Sequence, residues 1–171
     1  MQEGLIHVYT GEGKGKTTAA AGLALRARSR GLKVLFAQFM KEAPGGEVDL
    51  LEGVSAEVAR FRGVLSPFFH PEVDRAALRR EAQKALEALG PRLGEFDLVV
   101  LDEFVGLVSA GLLEKDEALG FLRAKPPETE VVLTGRGAPQ WLLEEADYVT
   151  EMRAVKHPFA RGMSAKKGIE F

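Results

Sequence analysis

Short, densely apolar runs alternate along the chain with longer segments in which small and apolar residues recur every three or four positions. Runs at 4–9, 33–40, 58–61, 97–101, 130–133 and 148–152 have the length and β-branched content of strands. Asp97-Leu98-Val99-Val100-Leu101 is almost continuously apolar, as expected of a strand buried on both faces. Helices are expected at 17–30, 72–89, 104–110, 114–124 and 138–146. Alanines and leucines dominate the first of these until Gly31 ends it. In the second, Ala77, Leu78, Ala82, Ala85, Leu86 and Leu89 share one side, and Gly90-Pro91 is the expected stop. Ala43-Pro44-Gly45-Gly46 breaks the chain, and 62–71 reads as a loop rich in proline and phenylalanine. Neither a repeat nor a long linker divides the sequence, so 1–171 is read as one domain. Strands alternating with helices predict a three-layer αβα domain with a mainly parallel sheet.

Composition narrows the chemistry. There is no cysteine and only three histidines, widely spaced, which excludes disulfide scaffolds and thiol nucleophiles and argues against zinc sites. The formal net charge of −2, with neither sign dominating one half, gives no support for a nucleic-acid or membrane partner. No apolar run approaches the length of a membrane span, and the N-terminus lacks a signal-peptide pattern, so a cytoplasmic location is expected. Glycine is enriched, 19 of 171 residues, and clusters at particular places, which implies local backbone requirements rather than low complexity.

The densest cluster follows the first strand. Gly11, Glu12, Gly13, Lys14, Gly15, Lys16, Thr17 and Thr18 lead into the first helix. Glycine amides, a helix N-terminus, a lysine and a hydroxyl for a metal are what a triphosphate requires. Against the usual Gly-x4-Gly-Lys-Ser/Thr pattern, Thr10 stands at the first glycine position. Asp102 and Glu103 follow the buried strand, where carboxylates can hold hydrated Mg²⁺ directly or through water. Arg136, between Gly135 and Gly137, is placed to reach a phosphate. Gln38 and Lys41 close the second strand, a position that suits ligand contact and plain surface exposure alike. Phe68 and Phe69 fit either the lining of an apolar site or the anchors of a buried loop. The segment from Arg153 onward reads as a frayed basic tail, although its end, Gly168-Ile169-Glu170-Phe171, is unusually apolar for one.

The segment 10–20, with Thr10 first and Lys14 between glycines, resembles the P-loop type of ATP:corrinoid adenosyltransferase. The resemblance continues through Gln38-Phe39-Met40-Lys41 with Gly46-Glu47, Val100-Leu101-Asp102-Glu103, Leu133-Thr134-Gly135-Arg136-Gly137, and Val155-Lys156-His157-Pro158-Phe159 with Gly162 and the terminal four residues. It implies a RecA-like strand order, ATP as co-substrate, a corrinoid substrate, Mg²⁺ or Mn²⁺, a reductase partner and a homodimer. It also implies that Co(I) attacks the 5′ carbon of ATP, held in reversed direction, and displaces triphosphate. On that basis Lys16 and Arg136 would be catalytic through charge neutralisation, and residues 11–18 would bind ATP. Thr17 and Glu103 would hold the metal, with Asp102 contributing through water. Gln38, Lys41, Phe68 and Phe69 would face the corrinoid, one phenylalanine displacing the lower axial base of cobalt. Two departures stand out: family members often carry an N-terminal extension over the site, and some place a tryptophan in the loop matching 62–71, whereas the single tryptophan here is Trp141. The alternatives are a P-loop kinase or ATPase and a corrinoid carrier that uses nucleotide without turnover.

Overall fold

In the computed structural model the described residues are 3–41 and 46–169. The expected break at Ala43-Pro44-Gly45, the terminal Glu170-Phe171 and the side chain of Phe159 lie outside them. Six strands, β1 (Ile6–Thr10), β2 (Val34–Gln38), β3 (Glu57–Arg60), β4 (Leu98–Asp102), β5 (Glu130–Thr134) and β6 (Tyr148–Glu151), form one sheet in the order β3-β2-β4-β5-β1-β6. Every pairing is parallel. β5 stands between the strand that leads into the glycine loop and the strand that ends in Asp102, the RecA-like order expected.

Alternating side chains of β2 and β4 enter two separate cores, so the sheet is buried on both faces. Leu35, Ala37, Val99 and Leu101 pack with the apolar sides of α3 (Arg75–Leu89), α4 (Phe104–Ser109), α5 (Lys115–Arg123) and α6 (Gln140–Glu145). Val34, Phe36, Leu98 and Val100 pack with α1 (Lys16–Ser29) and α2 (Gly46–Gly53). The buried side of α1 consists chiefly of Ala20, Ala21, Ala24 and Ala27, small residues that let its backbone lie close to the sheet. Among the described residues, no helix is long and apolar enough to cross a membrane.

The start of α3 and the presence of α2 differ most from expectation. α3 begins at Arg75 rather than at 72 because the Asp74 carboxylate caps it, accepting from the Ala76 amide at 3.0 Å. α3 ends at Leu89, as the Gly90-Pro91 stop implies, although Gly90 keeps helical angles and a 3-10 turn follows over Gly90–Glu95, with proline tolerated in its first turn. α2 was not expected at all, since glycine stands at both of its ends and only Val48 and Leu51 are buried.

Parallel strands bring their carboxyl ends to one edge. The register sets Gln38 opposite Asp102 and Tyr9 opposite Thr134, so the loops after β1, β2, β4 and β5 meet there, where ligands of open α/β sheets bind.

Candidate active site

The loop after β1 owes its shape to close backbone packing. Gly11 and Gly15 have φ of 96° and 110°, the left-handed region that favours glycine. The Gly13 amide donates to the Met152 carbonyl at 2.6 Å, just beyond β6. A Cβ on Gly11 or Gly13 would stand 2.5 or 2.6 Å from that same carbonyl oxygen, so neither position admits a side chain. Gly15 precedes α1 without any side-chain cap, leaving the first helical amides available to an anion. Thr10, the departure from the usual pattern, is buried, and its Oγ1 accepts from the Ala138 amide at 3.3 Å, tying the loop to the segment after β5.

Lys16 is buried and donates from Nζ to the carbonyls of Gly11 and Gly13, each at 2.7 Å. Burial pushes its ammonium below the usual lysine value; Arg136 adds to that push, while Glu103 and Glu12 oppose it. Arg136 and Glu12 face one another at 3.3 Å and are both largely exposed.

Asp102 is fully buried and gathers the neighbouring elements. Its Oδ1 accepts from Thr17 Oγ1 at 2.8 Å and from Thr134 Oγ1 at 2.6 Å; its Oδ2 accepts from Gln38 Nε2 at 3.0 Å. The Lys41 ammonium lies 3.6 Å from Oδ2 and donates to Thr17 Oγ1 at 3.0 Å. With three hydrogen bonds and an ion pair on one carboxylate, Asp102 is suited to orienting Thr17 rather than to ligating a metal itself. Glu103 has φ of 64°, a strained value for a residue with a side chain, at the point where β4 ends and α4 begins. Burial raises its carboxyl above the usual range, and the Asp102 charge raises it further. The Thr17 hydroxyl and the Glu103 carboxylate line one cavity as oxygen donors, with Asp102 held behind the hydroxyl, and the Lys41 ammonium already rests against the Thr17 and Asp102 oxygens, so the residues fit a hard divalent cation such as Mg²⁺.

Two cavities open at this edge. The first, about 800 Å³, is lined by loop residues 13–18, α2 residues including Leu50, and His157, Gly168 and Ile169. The second, about 1020 Å³, is lined by Met40, Phe68, Phe69, His70, Arg75 and Ser109 among others. Lys41, Glu103 and Arg136 line both and form a common wall.

The expected site residues divide accordingly. Residues 13–18, Lys41, Glu103 and Arg136 come together at the first cavity, and Phe68 and Phe69 line the second. These phenylalanines are 84% and 74% exposed, which removes the reading of them as buried loop anchors. Gln38 lines neither cavity; it is buried and donates to Asp102. Nor does the tail simply fray: Ile169 accepts from Lys14 Nζ at 3.0 Å beside the loop. Thr134 has no role that its sequence context predicts. Its hydroxyl donates to Asp102 and accepts from the Glu103 amide at 2.9 Å, and a polar residue closing a buried strand was the available signal.

The chain is 41% identical over 173 aligned residues to the corrinoid adenosyltransferase of Escherichia coli K12, covering 99% of this chain and 87% of that protein. It is 40% identical, with the same coverage, to the corrinoid adenosyltransferase CobA of Salmonella typhimurium LT2. To the corrinoid adenosyltransferase of Pseudomonas aeruginosa PAO1 it is 38% identical, covering 99% of this chain and 85% of the relative. The family model described as ATP:corrinoid adenosyltransferase BtuR/CobO/CobP matches residues 2–171, and the chain belongs to that family.

Proposed function

We propose that the protein transfers the 5′-deoxyadenosyl group of ATP to the Co(I) of a reduced corrinoid and releases inorganic triphosphate. The observation that carries this reading is the wall of Lys41, Glu103 and Arg136 shared by a phosphate-loop cavity and a larger cavity edged by exposed phenylalanines. Two substrates seated on either side of that wall would meet across it.

The reaction needs no nucleophile from the chain. The Co(I) electron pair forms the bond to the 5′ carbon, and the 5′ carbon–oxygen bond breaks with its electrons leaving on triphosphate. What the chain supplies is alignment and charge. Loop amides and the α1 N-terminus hold the triphosphate, and Lys16 and Arg136 neutralise the charge that grows as it leaves. Thr17 and Glu103 would hold Mg²⁺, with Asp102, Thr134 and Gln38 fixing the threonine and the backbone at Glu103. When bound, that ion adds positive charge at the departing phosphates. Phe68 and Phe69 gain burial only when something apolar fills the second cavity, which suits displacement of a lower axial base from cobalt. A reductase supplying the electron for Co(II), and a homodimeric assembly, complete the proposal.

The test is an anaerobic mixture of protein, ATP, Mg²⁺ and chemically reduced cobalamin. The expected result is a light-sensitive adenosylated corrinoid with one equivalent of triphosphate. ADP or orthophosphate without a cobalt–carbon product would overturn the reading in favour of phosphoryl chemistry, and binding without turnover would favour a carrier.

A further inference from the structure

Lys41 belongs to the wall between the two cavities but takes no step in the scheme above. It follows β2 by way of Met40, whose φ of 52° is left-handed and whose amide donates to the Val64 carbonyl at 3.0 Å. That bend carries the lysine back over the end of the sheet. Its ammonium donates to Thr17 Oγ1 at 3.0 Å and lies 3.6 Å from Asp102 Oδ2, with its side chain 31% exposed. Glu103, Lys16 and Arg136 are the other charges lining the first cavity with it, together with Glu47 and Lys14.

The contact with Thr17 is the informative one. This hydroxyl gives its single proton to Asp102 Oδ1, so lone pairs are all it has left to offer. Lys41 takes one of them. A divalent cation ligated by the same oxygen would sit beside an ammonium within a few ångströms, in a partly buried place where like charges repel strongly. Both cations answer the same need, since Asp102 is fully buried and its charge acts on the neighbouring Glu103 carboxyl.

We infer that Lys41 is an exchangeable counter-ion: it holds the Thr17–Asp102–Glu103 oxygen set, and a divalent metal arriving with nucleotide displaces it toward the wall between the two cavities. The inference rests on the metal reading of Thr17 and Glu103. Its consequence is that metal loading moves a positive charge to the cavity edged by Phe68 and Phe69, which Lys41 already lines. Loading of the first cavity would thereby alter the charge of the second before any chemistry occurs. Metal binding in the absence of nucleotide is also suppressed, because the site carries its own cation.

Mn²⁺ binding, followed by electron paramagnetic resonance, tests the exchange without relying on activity. Wild-type protein, Lys41→Met, Lys41→Gln and Lys41→Arg are titrated with Mn²⁺ alone and then with Mn²⁺ and ATP. The two neutral variants are expected to bind Mn²⁺ alone on the order of tenfold more tightly than wild type, through removal of a like charge. Lys41→Arg should resemble wild type. The thermal midpoint supplies a second readout: Mg²⁺ alone should raise that of the neutral variants and leave wild type nearly unchanged, because only a ligand of the folded state stabilises it. Lys41→Gln retains a hydrogen-bond donor for Thr17, so it separates loss of charge from loss of folding if Lys41→Met is unstable. Unchanged or weaker Mn²⁺ affinity in the neutral variants, with normal Mn²⁺–ATP binding by wild type, overturns the exchange and leaves the metal reading standing. Failure of all four proteins to bind Mn²⁺ even with ATP overturns both.

Discussion

The two cavities that share Lys41, Glu103 and Arg136 are built by different means. On the phosphate-loop side, Gly11 and Gly13 press against the Met152 carbonyl so closely that no Cβ fits, and Asp102, Thr17, Thr134 and Gln38 form one hydrogen-bonded set. On the other side, Phe68 and Phe69 make an edge-to-face pair at 5.0 Å and remain largely exposed. A triphosphate offers many fixed acceptors, and its site can be organised in advance by backbone and buried polar groups. An apolar substrate face offers area rather than direction, so side chains that meet it can wait in water and gain burial on contact. The first region spends folding energy on geometry; the second leaves its aromatic surface exposed.

Removing the loop lysine should have the largest effect and would break the comparison if it did not. Lys16→Ala is expected to lower kcat/KM by roughly 10²–10³, the scale for losing a group aimed at developing charge. Steady-state kinetics with chemically reduced corrinoid, together with nucleotide titration, measure it. A variant with unaffected ATP binding and turnover would show that the preorganised side is not the triphosphate site.

Gln38 sharpens the same side at one remove. In Gln38→Met the buried Asp102 Oδ2 loses its hydrogen-bond donor, which should cost about 1–3 kcal/mol of stability in urea unfolding. Metal affinity in the presence of ATP should fall by roughly 10–100-fold, the range for groups that orient a ligand. If affinity for metal were unchanged while stability fell, Gln38 would be a core residue and nothing more.

Its case also shows where sequence stops being informative. Gln38 and Lys41 lie three residues apart near the end of one strand, and neighbouring sequence gives no reason to separate them. The pairing of Gln38 with Asp102 across β2 and β4, 64 positions apart, buries the first, and the left-handed turn at Met40 returns the second to Thr17. Both are consequences of register and topology. The glycine loop was legible because its requirements are local: backbone freedom, a following helix and a lysine within one short stretch. β4 was legible because a strand buried on both faces must be continuously apolar until it reaches its acidic end. α2 was not, because two buried side chains between terminal glycines leave too short a period to recognise.

The open side predicts a narrower effect. Phe68→Ala and Phe69→Ala should each reduce activity measured from Co(II) with a reductase by about tenfold or more, as expected where aromatic area is buried on binding. Activity from prereduced corrinoid should fall less, and ATP affinity should stay close to wild type. Stability should hardly change, since both rings are exposed and away from either core. Normal Co(II)-dependent activity in both variants would remove the phenylalanines from the mechanism. A loss of ATP affinity would instead mean that the two cavities are not separable.

The smallest expected effect lies at the opposite end of the sheet and serves as a reference for the others. Glu57 opens β3, and both of its oxygens accept from Arg92, at 2.6 and 3.0 Å. The Arg92 hydrogen bond holds the Glu57 carboxyl below its usual range, against the opposing effect of burial. A carboxyl lowered in the folded state adds stability above its ordinary range, and that stability disappears as acid protonates it. Arg92→Ala should therefore reduce the urea midpoint slightly at pH 7, as exposed ion pairs do, and the difference from wild type should narrow in strongly acidic solution to what the Arg92–Phe96 contact leaves. Because Glu57 begins its strand while Asp102 ends one, the substitution should leave ATP affinity, Mn²⁺ affinity and Co(II)-dependent activity untouched. A kinetic change in this variant would mean that the sheet transmits strain from its far edge. The effects assigned to Gln38 and to the phenylalanines would then have to be measured against that background, because distance alone would no longer isolate one cavity from the other.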